Sequence, residues 1–409
     1  MIAGFASRAS FLYVHHSSFR HMRKGLHLRL NYRLVFLLGL LAVLAAREVA
    51  VELRPTFLRP GLHLFAYVGN TGNGTVTAID LLKLSPVASL SVGPGPTGIR
   101  AHPTRNEIWG LSSVGGYAWI LDTNSNQIVA RIPVGREPYA LDFSPDGARA
   151  YIAASASNSI VAIDCASRQI VVRGRVGRHS LIARVSPDDK LVLVTNGDDE
   201  TVSIVDASNL ATLAVIRVAP HPDQIAILPD SSKAFITSDT TDRISVIDLK
   251  RKVLLANLEL GGAPDDLILK PDGGELYIPS AAAHGVIIVN TRTNEVADFR
   301  LVGMSPTRGV LGPSSGMLYV SDSAGVDIVP IAINSRQVAR PISVGQAPGA
   351  SALTPGGDEL LVVDSGSNDL AVIRTRTGQP AGNALAPPQS PITLIPVGPR
   401  PRDLAVKLF

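Results

Sequence analysis

The chain of 409 residues has a single cysteine, Cys165, so it cannot form an internal disulfide, and it lacks the Cys-x-x-Cys-His segment that attaches haem covalently. Tryptophan is also scarce, at two residues, and beyond the first 46 residues no stretch shows the apolar period of an amphipathic helix. Acids are missing altogether from residues 1–46, which carry six Lys or Arg. Removing that segment leaves 32 basic against 34 acidic residues, a net charge of −2, so the isoelectric point near 9.2 belongs to the N-terminus. A basic footprint for nucleic acid is therefore absent from the body of the chain.

Residues 34–46, LVFLLGLLAVLAA, form a thirteen-residue apolar run behind Arg23, Lys24, Arg29 and Arg33. That is the layout of a secretory signal peptide, and it is shorter than the roughly 20 residues of a membrane-spanning helix. Residues 1–46 are read as a basic leader and signal peptide, with a retained anchor as the alternative, and Met22 is as good a start as Met1. Residues 47–64 read as a linker. Export to the periplasm, the cell surface or the medium follows, with membrane contact only through an uncleaved leader.

The remaining chain repeats. Pro103, Pro145, Pro187, Pro229, Pro271, Pro313 and Pro355 are spaced by 42 residues. The same period links Asp80, Asp122, Asp164, Asp206 and Asp248, with Asn290 next in the slot, and it links Tyr67, Trp109, Tyr151, Leu193, Phe235, Tyr277, Tyr319 and Leu361. Each unit holds four short apolar runs separated by turn chemistry, which is the signature of a propeller blade. In the unit FSPDGARAYIAASASNSIVAID (143–164), Pro presets a turn, Asp bonds back to its own backbone and Gly takes positive φ. The recurring Asp is accordingly read as a turn residue. Cys165, just after one of these turns, is expected to be small and partly buried.

The fold expected is all-β: a single propeller of four-stranded blades over residues 65–409. Eight blades are counted, with seven as the alternative, and the C-terminal strand 402–409 completes the first blade and closes the ring. Residues 378–391, GQPAGNALAPPQSP, read as a loop insertion in the last blade.

The second strands read YVGN, YIAA, LVTN, FITS, YIPS and YVSD, each followed by phrases such as VSIVD and then VG-x-x-P. Over residues 65–409 the chain thus resembles the YVTN family of β-propeller repeats of bacterial and archaeal secreted or cell-surface proteins. The resemblance implies the fold and an extracytoplasmic location. It says much less about activity, because unrelated functions sit on propellers.

Generic motifs dissolve in the repeat. GPSSG (312–316) occupies a hairpin slot and lacks the helix of a nucleophile elbow. NGDDET (196–201) lacks the spacing of a calcium loop. One constellation remains: Glu137, His179 and His221 fill the same slot in the outer-to-inner loops of three consecutive blades. Two His and a carboxylate are a metal-ligand set, so a divalent metal is one alternative there and haem another. Arg136, Arg178, Arg308 and Arg402 bring positive charge to the same rim, making these seven residues the candidate ligand-binding set.

No catalytic residue stands out. The expected function is an exported, non-enzymatic scaffold without a cofactor, monomeric, binding a protein or glycan of the cell envelope through its loop face. The alternative is a cofactor- or metal-dependent propeller enzyme, of lactonase, quinoprotein-like or d1-haem-like type, with its site at the channel mouth.

Overall fold

A computed structural model describes residues 62–312, 316–375 and 391–409. The leader at 1–46, most of the 47–64 linker, the centre of GPSSG and nearly all of the 378–391 insertion lie outside the described residues. Thirty-two strands form eight four-stranded antiparallel sheets, an eight-bladed propeller. The ring is closed by the C-terminus: Pro401–Leu408 is the inner strand of blade 1 and pairs with Leu64–Asn70. Blade 1 continues through Thr75–Asp80 to the outer strand Ser85–Ser91. The ladder begins slightly before the expected strand at Phe65, since His63 and Phe409 exchange both backbone hydrogen bonds at 2.7 and 2.9 Å.

The near-continuous apolar runs have a packing cause. In blade 2 all six residues of the second strand, Glu107–Ser112, are buried, because each blade is covered on both faces. Among the described residues eight apolar clusters fill the ring, seven built from two neighbouring blades and one that also takes in Ala140 of a third. Trp109, Leu111 and Ile120 of blade 2, for example, meet Leu141, Ile152 and Ile163 of blade 3. Outer strands alternate between half-buried and exposed residues, as in Gln169–Arg175. Cys165 is fully rather than partly buried, as part of the cluster between blades 2 and 3, and burial pushes its thiol up to about 12.

The repeated turn carboxylates act as expected. Asp80 accepts from the Leu82 N–H at 2.9 Å, Asp164 from Ser167 at 2.7 Å and Asp206 from Ser208 at 2.8 Å. Asn290 does the same for Arg292 at 2.9 Å.

Neighbouring blades are also clasped near the opposite face, where the third-to-outer turns lie. Arg168 of blade 3 donates to Glu107 Oε1 of blade 2 at 2.8 Å, and Glu107 Oε2 accepts the buried Trp109 indole N–H at 2.9 Å. Four repeats later Arg336 donates to Glu275 at 2.6 Å, and Glu275 accepts the Tyr277 hydroxyl at 2.6 Å. Lys233 and Asn294 occupy the same pair of slots, at 3.0 Å.

Inner strands carry a bulge near their start. Thr97 pairs with Leu111 but Arg100 with Trp109, so three steps on one strand answer two on the other. The same shift recurs in blades 3, 4, 5 and 8. A bulge frees backbone N–H groups from the ladder, and side chains take them up. Ile182 N–H donates to Thr195 Oγ1 and Gln224 N–H to Thr237 Oγ1 within their own blades, at 3.1 and 2.9 Å. Elsewhere the acceptor comes from the preceding blade: Asp403 binds the Ile99 N–H at 2.9 Å and Asp266 the Gly309 N–H at 3.1 Å.

Candidate functional site

Strand direction puts the outer-to-inner loops and the second-to-third-strand loops on one face. Six of the eight outer-to-inner loops end in a left-handed residue just before the inner strand: Gly95, Glu137, His179, His221, Ala347 and Arg400 have φ between 46° and 65°. The conformation directs the carbonyl of this residue to the amide eighteen residues later, as in Ser155 N–H to Glu137 at 3.1 Å and Gly197 N–H to His179 at 2.9 Å. The backbone requirement therefore defines the slot, and its side chain is left to solvent.

The structure does not bring together the three residues of the metal reading. Glu137, His179 and His221 are all exposed, and none of them lines the channel. Among the described residues no group of three or more His, Cys, Asp or Glu stands close enough to share a metal ion. Nδ1 of His179 lies 3.7 Å from Asp198 instead. Arg178 pairs with Asp199 at 2.7 Å, and the Arg136 guanidinium donates to the Ala156 carbonyl at 3.0 Å, so both are held by the loops beside them. The acidic loop 196–201 is accounted for in the same way, Glu200 pairing with Arg217 at 2.7 Å.

Arg308 and Arg402 do line one cavity, of about 380 Å³ at the channel mouth, to which all eight blades contribute residues. Arg100 and Arg184 line it too, with Asp266 and Asp403. Two of the four guanidinium groups face a carboxylate, Arg184 at 3.8 Å from Asp142 and Arg308 at 3.7 Å from Asp266. Arg100 donates to the Ile99 carbonyl at 3.2 Å, and neither it nor Arg402 has a carboxylate within 4 Å among the described residues. Burial lowers the Arg184 value, opposed by Asp142, and raises those of Asp223 and Asp266.

Arg100, Arg184, Asp266 and Asp403 were missed by the sequence reading, although a signal existed for the two arginines. The slot holding Arg100, Asp142 and Arg184 in blades 2, 3 and 4 is filled by Ala226, Ile268, Val310, Ala352 and Ala405 in the others. Charge confined to three consecutive copies of an otherwise apolar inner-strand slot marks the channel side.

The wall of the mouth in blade 8 holds one further unusual group. Asp364, between the lining residues Val363 and Ser365, is fully buried and accepts the Gly345 N–H at 2.9 Å. Its other oxygen and Asp369 Oδ1 are buried and have no hydrogen-bond partner among the described residues. Burial, reinforced by Asp369, pushes the Asp364 carboxyl up to about 8.

Residues 122–315 match the family model described as YNCE-like beta-propeller, a little under half of the chain. Among solved structures, the chain is similar to the dihydro-heme d1 dehydrogenase NirN in complex with DHE, at 16% identity and a TM-score of 0.69 over 83% of this chain and 74% of that one. It is also similar to a chain of Kuenenia stuttgartiensis hydrazine synthase, at 18% identity and a TM-score of 0.57 over 70% of this chain and 97% of that one. A search by sequence among curated proteins gives no match. At these identities the likenesses establish the propeller fold.

Proposed function

We propose that this protein is an exported binding propeller that recognises a protein or glycan of the cell envelope through its loop face, as a monomer and without a catalytic step of its own. The observation that carries the reading is the cavity of about 380 Å³ to which all eight blades contribute residues, ringed by second-to-third and outer-to-inner loops. Pockets that hold compact ligands span about 300–1,000 Å³, and a ring of loops around one offers a wider contact surface. The lining has no Cys or His to serve as nucleophile or base, and its carboxylates Asp266 and Asp403 are engaged by backbone amides of the next blade. The leader, with its basic flank and short apolar run, supports export. No helix among the described residues is long and apolar enough to cross a membrane.

The haem-related enzyme reading draws on NirN, whose structure contains DHE. The arginines of the mouth suit the carboxylates of such a group, but the lining offers its iron no His, Cys or Met, and His179 and His221 stand outside the cavity. Tyr139 is the one side chain of a haem-ligating type in the lining, and that donor set favours the binding reading over a haem-dependent step.

The purified chain, immobilised and exposed to envelope fractions, should retain a partner that is lost on substituting Arg308 and Arg402 together with Gln. The same partner should survive Lys250→Gln in a third-to-outer turn on the opposite face. Equal retention by all three proteins would overturn the reading, as would a visible absorption band that disappears on His179→Ala or His221→Ala.

A further inference from the structure

We propose that the channel mouth takes an acidic saccharide, a sugar ring bearing a carboxylate, with Arg100 and Arg402 receiving the carboxylate. The inference rests on the loop-face reading above and names the ligand class of the same site. Its basis is a count of donors against acceptors. A guanidinium has five N–H donors and no acceptor. Arg100 uses one of them on the Ile99 carbonyl. Arg184 and Arg308 face carboxylates only at 3.8 and 3.7 Å, longer than a direct hydrogen bond, and Arg402 is exposed at the rim.

The acids at the mouth do not absorb this surplus. Asp403 accepts the Ile99 and Leu404 amides, both at 2.9 Å, and Asp266 accepts those of Leu267 and Gly309 at 2.9 and 3.1 Å. Asp142 is held by the Val185 N–H at 3.0 Å. These carboxylates hold the bulged inner strands together and keep acceptor sites to spare, so the unmatched charge of the cavity is that of Arg100 and Arg402, which have no carboxylate beside them among the described residues. A ligand that matches must bring acceptors and negative charge, and paired guanidinium groups suit the planar fork of a carboxylate.

The rest of the lining points to a sugar. Gln224, Thr307 and Ser351 supply amide and hydroxyl groups, and Ser351 Oγ is buried in the wall without a partner. Tyr139 also lines the mouth, partly buried against the apolar cluster of blades 4 and 5, and an aromatic side chain there is of the kind on which the apolar face of a sugar packs. Gly98, at φ 58°, lets blades 2 and 3 approach closely at the wall of the mouth: a Cβ there would stand 3.1 Å from the Tyr139 carbonyl. A cavity of about 380 Å³ suits a compound of one or two rings.

The test is calorimetric titration of the purified full-length chain with digalacturonate, neutral galactobiose and a glutamate-rich peptide. Digalacturonate should bind and galactobiose should not. Binding should weaken at least tenfold in Arg402→Gln and in Arg100→Gln and weaken with salt, yet stay unchanged in Lys250→Gln. Arg402 is exposed, so its variant keeps the test open even if Arg100→Gln folds poorly. Equal binding of galactobiose overturns the acidic-group inference and leaves loop-face recognition standing, as does binding of the peptide alone. Digalacturonate binding that ignores both arginines overturns the site. No binding by any probe, together with no partner retained from envelope fractions, overturns both readings.

Discussion

The clasps between blades and the mouth of the channel are built from the same residue types and use them in opposite ways. In the clasps every charge is engaged: Arg336 bridges Glu275 at 2.6 Å and Asp298 at 2.8 Å, and Glu107 receives both Arg168 and the Trp109 indole. At the mouth the carboxylates are bound to backbone amides while two guanidinium groups have no carboxylate beside them. Charges in a clasp hold blades in register and leave nothing for a ligand. At the mouth it is Arg100 and Arg402 that contribute little to the ring and remain available, and Asp364 lies in the mouth wall yet is wholly buried.

Asp364 gives the largest expected effect. Its slot holds Asn196 in blade 4, which accepts the Gly177 N–H and donates to Thr201 Oγ1 at 3.0 Å, whereas Asp364 faces Asp369 in the place of that threonine. The folded-state value near 8 lies above that of an unfolded Asp, about 3.9, so the folded chain binds the proton more tightly. Stability linked to this group is fully present below about pH 4 and is lost as pH rises toward 8, at up to ~1.4 kcal/mol per unit. Asp364→Asn should flatten that slope and stabilise the protein at pH 7.5 by roughly 2–4 kcal/mol, because the amide donates to Asp369 without needing a proton. Denaturant unfolding at pH 5 and 7.5 checks this, and an unchanged slope would contradict it.

Breaking a clasp comes next. Glu107→Ala leaves the Trp109 N–H buried without an acceptor and Arg168 without its partner, and should cost about 2–4 kcal/mol in urea unfolding. A loss below about 0.5 kcal/mol would mean that the clasps are ornamental to stability. Smaller still is a turn: Asp206→Ala removes the acceptor for the Ser208 amide and should cost about 1 kcal/mol, by analogy with lost helix caps. Smallest is Arg402→Gln, which should shift stability by less than about 0.5 kcal/mol while weakening ligand binding at least tenfold. A large destabilisation there would erase the distinction between mouth and clasp.

Much of the fold was legible because blade packing imposes its own period. The prolines at 42-residue intervals, the turn aspartates and the large residues from Tyr67 to Leu361 gave the blade count, and the surplus C-terminal strand gave the closure. The site was less legible. Glu137, His179 and His221 share a slot because its left-handed backbone presents a carbonyl to the loop beside it, and a shared backbone role does not bring side chains together. Arg100 and Arg184 were hidden inside inner strands, where only the bulge decides which residues turn to the channel. The clasps were hidden by their spacing: Glu107 to Arg168 and Glu275 to Arg336 are each 61 residues, one repeat plus nineteen, and a search at the repeat length passes over them.

The most direct test of the division between engaged and available charge is a crystal structure of the full-length chain grown with digalacturonate. The ligand should lie in the mouth with a carboxylate within about 3 Å of the Arg100 or Arg402 guanidinium. A ligand seated against the opposite face or the outer strands, or a mouth that stays empty at saturating concentration, would contradict it.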